Sequence, residues 1–421
     1  MSSSLLQSAS IHTISRFINA IIPFLMMPIL TRYLSPTDYG FVAIFNVLLG
    51  VAAPFVGLST NGAIGVRYFN KTKSDLSKYI GNCLIVLATS FLVIALMIWL
   101  FSEPISVLSA FPRDWLWLIA IVAASQNICN IMMTIWQVDN KAVKYGIFQN
   151  LLTLTNISLS IVFVVVLKKN WQGRIEAQVI SAVIFSVVAF YLLYRNGWLK
   201  FSFDKGDISD ALRFGVPIIP HELGAMMIVQ TDRMFLANMV GVATAGIFSV
   251  GYQFGNIIQL FTSSFNAAYV PWLYGRLKLN DPLVNRNIVY MTYIYFVVIV
   301  IIAIVLSLIT PWFLKYYVGK DFVSAGKYVF WIALGYAFNG MYYMIANYIC
   351  FAGKTAVLAL VTFVTALLNI GFNYVLIKVN GPVGAAQASA LSFFVSFVFT
   401  WILSARVYSM PWNILSLMKK N

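Results

Sequence analysis

A chain of 421 residues in which 61% are hydrophobic and only 10% charged, with a mean hydropathy of +0.84, reads as an integral membrane protein, which excludes a soluble globular enzyme. The net charge of +15 then reflects membrane topology and attraction to anionic lipid, and a nucleic-acid partner is not expected. The three cysteines, Cys83, Cys129 and Cys350, have no metal-ligand spacing, so no metal site is expected and they read as small apolar packers.

Apolar runs of about 20 residues recur along the chain, each long enough as a helix to cross a hydrocarbon core roughly 30 Å thick. The expected spans are 10–33, 38–62, 78–101, 112–137, 144–167, 173–194, 213–236, 244–268, 286–309, 325–350, 355–378 and 382–405. Met1 to Ser10 has no Lys or Arg and the first run is too long for a signal core, so it is expected to remain as a helix. With both termini cytoplasmic, that side collects Arg67, Lys71, Lys73, Lys141, Arg195 and Lys205 among others, as the positive-inside rule favours. The longest connection, Arg195 to Leu212, leaves no room for a soluble catalytic domain. Its polar stretch makes it a cytoplasmic linker, where Asp207 or Ser209 is expected to cap the seventh helix.

Ionisable groups within spans are the costly feature, since each costs roughly 2.5–3.5 kcal/mol at mid-bilayer and usually faces a bundle interior or wet cavity. In the first span Ser8, His12, Arg16 and Asn19 share one helical face, which Pro23 continues, and Arg32 follows near the span's end, where snorkelling is the ordinary explanation. Gln126, Asn130, Thr134 and Gln137 form a stripe in the fourth span, and Gln149, Thr153, Asn156 and Ser160 another in the fifth. The seventh span carries His221, Glu222, Asp232 and Arg233; Glu222 and Arg233 share a face and Asp232 is turned away by about 100°. In the eighth, Tyr252, Asn256, Gln259, Ser263 and Asn266 are aligned. Such stripes line hydrated cavities or serve as interhelical hydrogen bonds.

The chain also repeats itself at about half its length: Leu30, Gly40 and Phe41 match Leu236, Gly246 and Ile247, and Ala177, Ser181 and Ala182 match Ala385, Ser389 and Ala390. The expected architecture is therefore an all-α integral membrane protein, with about 12 transmembrane helices in two pseudo-symmetric six-helix bundles around a central cavity. The N-terminal bundle is expected over 1–200, the linker over 201–212 and the C-terminal bundle over 213–421. Arg16 and Glu222 then fall on equivalent positions of the two halves.

The run Pro28-Ile-Leu-Thr-Arg-Tyr-Leu-Ser-Pro-Thr-Asp-Tyr-Gly40, then Gly57-Leu-Ser-Thr-Asn-Gly-Ala-Ile-Gly-Val-Arg67-Tyr, and later Thr231-Asp-Arg-Met-Phe-Leu236 and Ala245-Gly-Ile-Phe-Ser249 resemble Wzx-type O-antigen flippases. These belong to the polysaccharide-export branch of a superfamily that also holds MATE drug exporters and lipid II flippases. Ser35 stands where that family usually has glycine. The resemblance implies a flippase of the bacterial inner membrane that carries an undecaprenyl-pyrophosphate-linked oligosaccharide, such as an O-antigen repeat unit, from the cytoplasmic to the periplasmic leaflet by alternating access. It implies membrane lipids and polysaccharide polymerase machinery as partners, and no cofactor beyond a coupling H+ or Na+. Guanidinium suits pyrophosphate, so Arg16 is the first candidate, then Arg67 and Arg233. Asn19, Arg32, Tyr252, Asn256, Gln259 and Asn266 complete the substrate-binding set, and Glu222, Asp232 and His12 are the candidate ion-coupling groups. A MATE-type multidrug cation antiporter shares the architecture but calls for an acidic or aromatic cavity. A membrane polymerase or glycosyltransferase would need acids on a sizeable external loop.

Overall fold

The computed structural model describes residues 22, 24–279, 281–354 and 356–413; His12, Arg16, Asn19 and Pro23 lie outside the described residues. Among those described, every regular element is helical, and eight helices are long and apolar enough to cross a membrane unbroken. Of the remaining expected spans, the second, seventh and eighth appear as shorter or interrupted helices, and most of the first lies outside the described residues. The chain divides into two compact units, 1–226 and 227–421.

The first unit contains α1 (24–33), α2 (Pro36–Ala52), α3 (Thr60–Arg67), α4 (Lys73–Leu100), α5 (Ser102–Ser109), α6 (Trp117–Val138), α7 (Ala142–Ile161), α8 (Asn170–Arg195) and α9 (Lys205–Gly215). The dividing point falls within α10 (Ile219–Met239). The second unit continues with α11 (Val242–Gly255), α12 (Ile257–Leu277), α13 (Pro282–Tyr317), α14 (Gly326–Phe351), α15 (Ala356–Asn380) and α16 (Val383–Val407). The long helices recur in order, so that α4, α6, α7 and α8 find counterparts in α13, α14, α15 and α16.

Lipid removes the hydrophobic drive between helices, so close packing depends on small side chains. In the second unit a Cβ on Gly335 would lie 3.1 Å from the Cα of Ala390, and α16 presents Gly384, Ala385, Ala388, Ser389 and Ser392 as buried small residues. At the other extreme, α13 turns Val297, Ile301, Val305 and Leu308 outward. Its 36 residues rise about 54 Å, more than a bilayer core needs, so it tilts or projects beyond it.

Ser35 has a local explanation. Its Oγ accepts from the Asp38 amide at 3.2 Å while an Asp38 carboxylate oxygen accepts from the Ser35 amide at 3.0 Å, with Pro36 at the first helical position. This capping box starts α2 without glycine. The cap ahead of the seventh span differs from expectation: α9 begins earlier, and Asp204 accepts from Gly206 N at 2.7 Å and Asp207 N at 3.3 Å. Asp207 is thereby free to reach across to Lys71.

Three expected spans are interrupted, among them the seventh, by a 3-10 turn at Val216–Ile218 between α9 and α10. Between α2 and α3 the backbone of Gly57, Leu58 and Ser59 takes φ of +90°, +49° and +52°, which no helix tolerates. The eighth span breaks at Asn256, so Tyr252 lies on α11 and Gln259 and Asn266 on α12. That helix end packs so tightly that a Cβ on Gly255 would meet Ile332 Cγ2 at 2.4 Å.

Candidate functional site

The interruption after α2 builds a recess in the first unit. Left-handed Leu58 and Ser59 cost on the order of 1–3 kcal/mol each, and such strain persists only where neighbours over-determine the backbone. Asn127 on α6 supplies that restraint, its Nδ2 donating to Val56 O at 2.7 Å and Ala53 O at 3.4 Å, while Gly57 N donates to Ser90 Oγ at 2.8 Å. Ser59 is thereby aimed at α10, where its Oγ donates to a Glu222 carboxylate oxygen at 3.0 Å. The resulting cavity, of about 410 Å³, is lined by Ser59, Asn61, Gln126, Asn127, Asn130 and Glu222 among others. Among the described residues the buried Asn61 Oδ1 has no hydrogen-bond partner. An amide-rich wall with one carboxylate can exchange hydrogen bonds with hydroxyls, or hold a cation.

A second polar cluster lies in the second unit. Asp232 is fully buried, and its carboxylate accepts from Asn373 Nδ2 at 2.8 Å and from Ser389 Oγ. Asn373 also donates to Asn369 Oδ1 at 3.1 Å, and Asn369 donates to Ser392 Oγ at 3.0 Å. Three helices thus converge on one carboxyl group, α10 with the acid and α15 and α16 with the donors. No basic side chain lies within ion-pair distance of Asp232 among the described residues. A buried bare carboxylate is costly by several kcal/mol, a cost that the two hydrogen bonds offset in part.

Arg233 diverges from its neighbour. Its guanidinium sits 4.1 Å from the centroid of the Tyr252 ring and donates to Val229 O at 2.8 Å. Tyr252 in turn contacts Tyr336 through the two hydroxyls. Arg233 is buried, held by a cation–π contact within its own unit.

The other candidates occupy separate places. Arg67 forms a bidentate pair with Asp210 of α9, Nε at 2.9 Å and an Nη at 2.5 Å, and Tyr79 donates to the same carboxylate at 2.9 Å. Lys71 donates to Asp207 at 2.8 Å beside it. Arg67 is therefore engaged within the protein and does not line the 410 Å³ cavity, and neither does Arg32, which is exposed at the end of α1. Asn266 accepts from Asn347 Nδ2 at 2.8 Å, and Asn256 and Gln259 stand at and beyond the helix break. His12, Arg16 and Asn19 are outside the described residues.

Sequence reasoning did not single out Asn373 or Ser392, and it met Ser389 only as a repeat marker. The available signal was modest: Asn369 and Asn373 one turn apart in an apolar helix, and Ser389 and Ser392 likewise. Arg174 donates to Asn156 Oδ1 at 2.8 Å from a half-buried position, joining the fifth-span stripe.

A family profile described as polysaccharide biosynthesis protein matches residues 5–275. A Haemophilus influenzae protein named Lsg locus putative protein 1 is 23% identical over 401 residues, covering 92% of this chain and 96% of its own. A second Haemophilus influenzae protein, described as an uncharacterized membrane protein, is 25% identical over 375 residues, covering 87% and 89%. Among solved structures, the lipid II flippase MurJ in an inward closed conformation aligns with a TM-score of 0.74 at 17% identity, over 94% of this chain and 87% of its own. An inward-facing multidrug resistance MATE family transporter of the MOP superfamily aligns with a TM-score of 0.65 at 15% identity, over 97% and 96%. These likenesses show the fold.

Proposed function

Since the chain belongs to the polysaccharide biosynthesis protein family and shares its fold with a lipid II flippase, we propose that it is a transporter, a flippase that moves an undecaprenyl-pyrophosphate-linked oligosaccharide from the cytoplasmic to the periplasmic leaflet of the bacterial inner membrane by alternating access. Both termini face the cytoplasm, and the delivered repeat unit is passed to polysaccharide polymerase machinery.

The observation that carries this reading is the amide-lined cavity of the first unit. Asn61, Gln126, Asn127 and Asn130 in one recess of a membrane domain offer the donors and acceptors that sugar hydroxyls exchange, and such polar groups are expensive in a bundle with no hydrophilic cargo. Arg16 supplies the cation for the pyrophosphate, and Glu222 competes with that anion for it. Asp232, with Asn373, Asn369 and Ser389 around it, is the coupling group, binding a proton or sodium on one side and releasing it on the other.

The carboxylate of Glu222 on the cavity wall favours a second reading, a multidrug exporter of organic cations built on the fold that the chain shares with a multidrug resistance MATE family transporter. Reconstituted protein separates the two. A flippase delivers lipid-linked oligosaccharide to the opposite leaflet, and Arg16→Ala abolishes this while the protein stays inserted, with Arg16→Lys partly restoring it. Uptake of organic cations without movement of the lipid-linked sugar favours the antiporter. Full export by inserted Arg16→Ala removes Arg16 from the mechanism.

A further inference from the structure

The helix α9 has two unlike faces. Asp207 and Asp210 point into the first unit, where Lys71 and Arg67 neutralise them. Lys205, Ile208, Ser209, Leu212 and Arg213 follow at i, i+3, i+4, i+7 and i+8, a single stripe on another side. Lys205 and Arg213 are exposed and make no ion pair among the described residues.

This stripe borders two adjoining recesses that share Phe203, Ile208 and Leu212. One, of about 530 Å³, runs between α9 and α4 with Phe55, Ile85 and Val93 on its walls. Its two hydroxyls are already satisfied, Thr89 donating to Ile85 O at 2.8 Å and Ser90 to Leu87 O at 3.1 Å, so it offers a chain nothing but hydrocarbon. The other, of about 620 Å³, opens beside it and holds Lys205 and Arg213. Each falls within the roughly 300–1,000 Å³ of ligand sites. Exposed Phe201 and Phe203 are wholly apolar, of the kind that interfacial segments bury at the boundary of headgroups and acyl chains. A dry apolar slot ending at two uncompensated cations is complementary to an amphiphile with an anionic head.

We infer that this groove is a binding site for an anionic phospholipid, one acyl chain lying between α4 and α9 and the headgroup phosphate held by Lys205 and Arg213. The lipid pins α9 to the first unit from the membrane side, as the Arg67 and Lys71 pairs do from within. This site is independent of the cargo proposed above.

The test uses the full-length protein purified in detergent and titrated with phosphatidylglycerol or phosphatidylcholine, retained lipid being counted by native mass spectrometry. Phosphatidylglycerol is expected to be retained in preference to phosphatidylcholine, and the Lys205→Gln/Arg213→Gln double variant to lose affinity for it by roughly fivefold per removed charge. The charge-conserving Lys205→Arg/Arg213→Lys variant keeps it, and Ile208→Trp, which fills the slot, loses lipids of both headgroups. A control variant, Lys278→Gln/Arg406→Gln, binds as the unsubstituted protein does. The inference is overturned by unchanged phosphatidylglycerol affinity in the double variant, by an equal loss in the control, or by equal retention of phosphatidylcholine. Displacement by inorganic phosphate at matching concentration also overturns it, since the site is then one for free phosphate.

Discussion

Replacing Asp232 by Asn and by Ala should separate stability from function, the two variants differing in the first and sharing the loss of the second. Asparagine keeps an oxygen for one of the two donors, Asn373 Nδ2 at 2.8 Å or Ser389 Oγ, and mimics the neutralised carboxyl, so the fold should change by no more than about 1 kcal/mol. Alanine removes both acceptors. Asn373 retains its bonds to Asn369 at 3.0 and 3.1 Å, but the Ser389 hydroxyl is stranded in the core, a loss of about 1–3 kcal/mol. Both variants should fail to couple transport. Thermal unfolding in detergent, with and without sodium and across pH, reads the first part, and delivery of lipid-linked oligosaccharide in vesicles the second. A sodium site filled to 100 times its Kd adds about 2.7 kcal/mol, visible as a raised Tm in the unsubstituted protein and absent in Asp232→Asn; a proton site responds to pH and not to sodium. A neutralised resting carboxyl is refuted if Asp232→Asn is more stable by several kcal/mol, because the carboxylate was then bare and uncompensated. The coupling role fails if that variant transports normally with an unchanged ion response.

Asn127→Ala should destabilise the first unit by about 1–3 kcal/mol, because the carbonyls of Val56 and Ala53 lose their donor; an unchanged Tm contradicts its role in holding the strained turn. A double-mutant cycle on Arg67→Ala and Asp210→Ala should give a coupling of about 1 kcal/mol, since the pair is bidentate but roughly one-third exposed; zero coupling marks it as incidental. Glu222→Gln should alter the pH dependence of translocation while leaving Tm within about 0.5 kcal/mol equivalent, and an unchanged profile restricts Glu222 to its bond with Ser59. Asp139 lies between α6 and α7, where burial raises its pKa but hydrogen bonds from Lys141 and Tyr68 and the charge of Lys144 outweigh it, leaving it below the ordinary carboxylate value. Its folded pKa being the lower, the stability it contributes is present above the unfolded pKa of about 3.9 and fades as pH falls through the folded one. Asp139→Asn should flatten that acid limb of an unfolding profile, and an identical limb in both proteins contradicts the assignment.

The helices were legible because a membrane demands runs of apolar residues whose length is set by bilayer thickness, as in α4, α8 and α14. The interruptions were less so. Pro54 and Gly57 hint at a break after α2, yet hydropathy stays high through the turn, and the decisive restraint comes from Asn127, 71 positions beyond Val56. The eighth span was likewise legible as a stripe from Tyr252 to Asn266, while its division at Asn256, beside the close packing of Gly255 on Ile332, was not. Glu222 was expected to face a cavity, while the stripe of Gln126 and Asn130 fitted cavity lining and interhelical hydrogen bonding alike; all three line one recess. Asp232 was chosen for its charge, while its partners Asn373 and Ser389 stand 141 and 157 positions away, separations no local pattern encodes.

Gly215 ends α9 directly against the turn that presents Ser59: a Cβ there would lie 2.0 Å from the Leu58 carbonyl oxygen. Backbone touches backbone, with no side chain between to yield. A side chain at position 215 could be admitted only by displacing the very turn that aims Ser59 at Glu222, so the end of α9 and that bond rest on one shared point of contact.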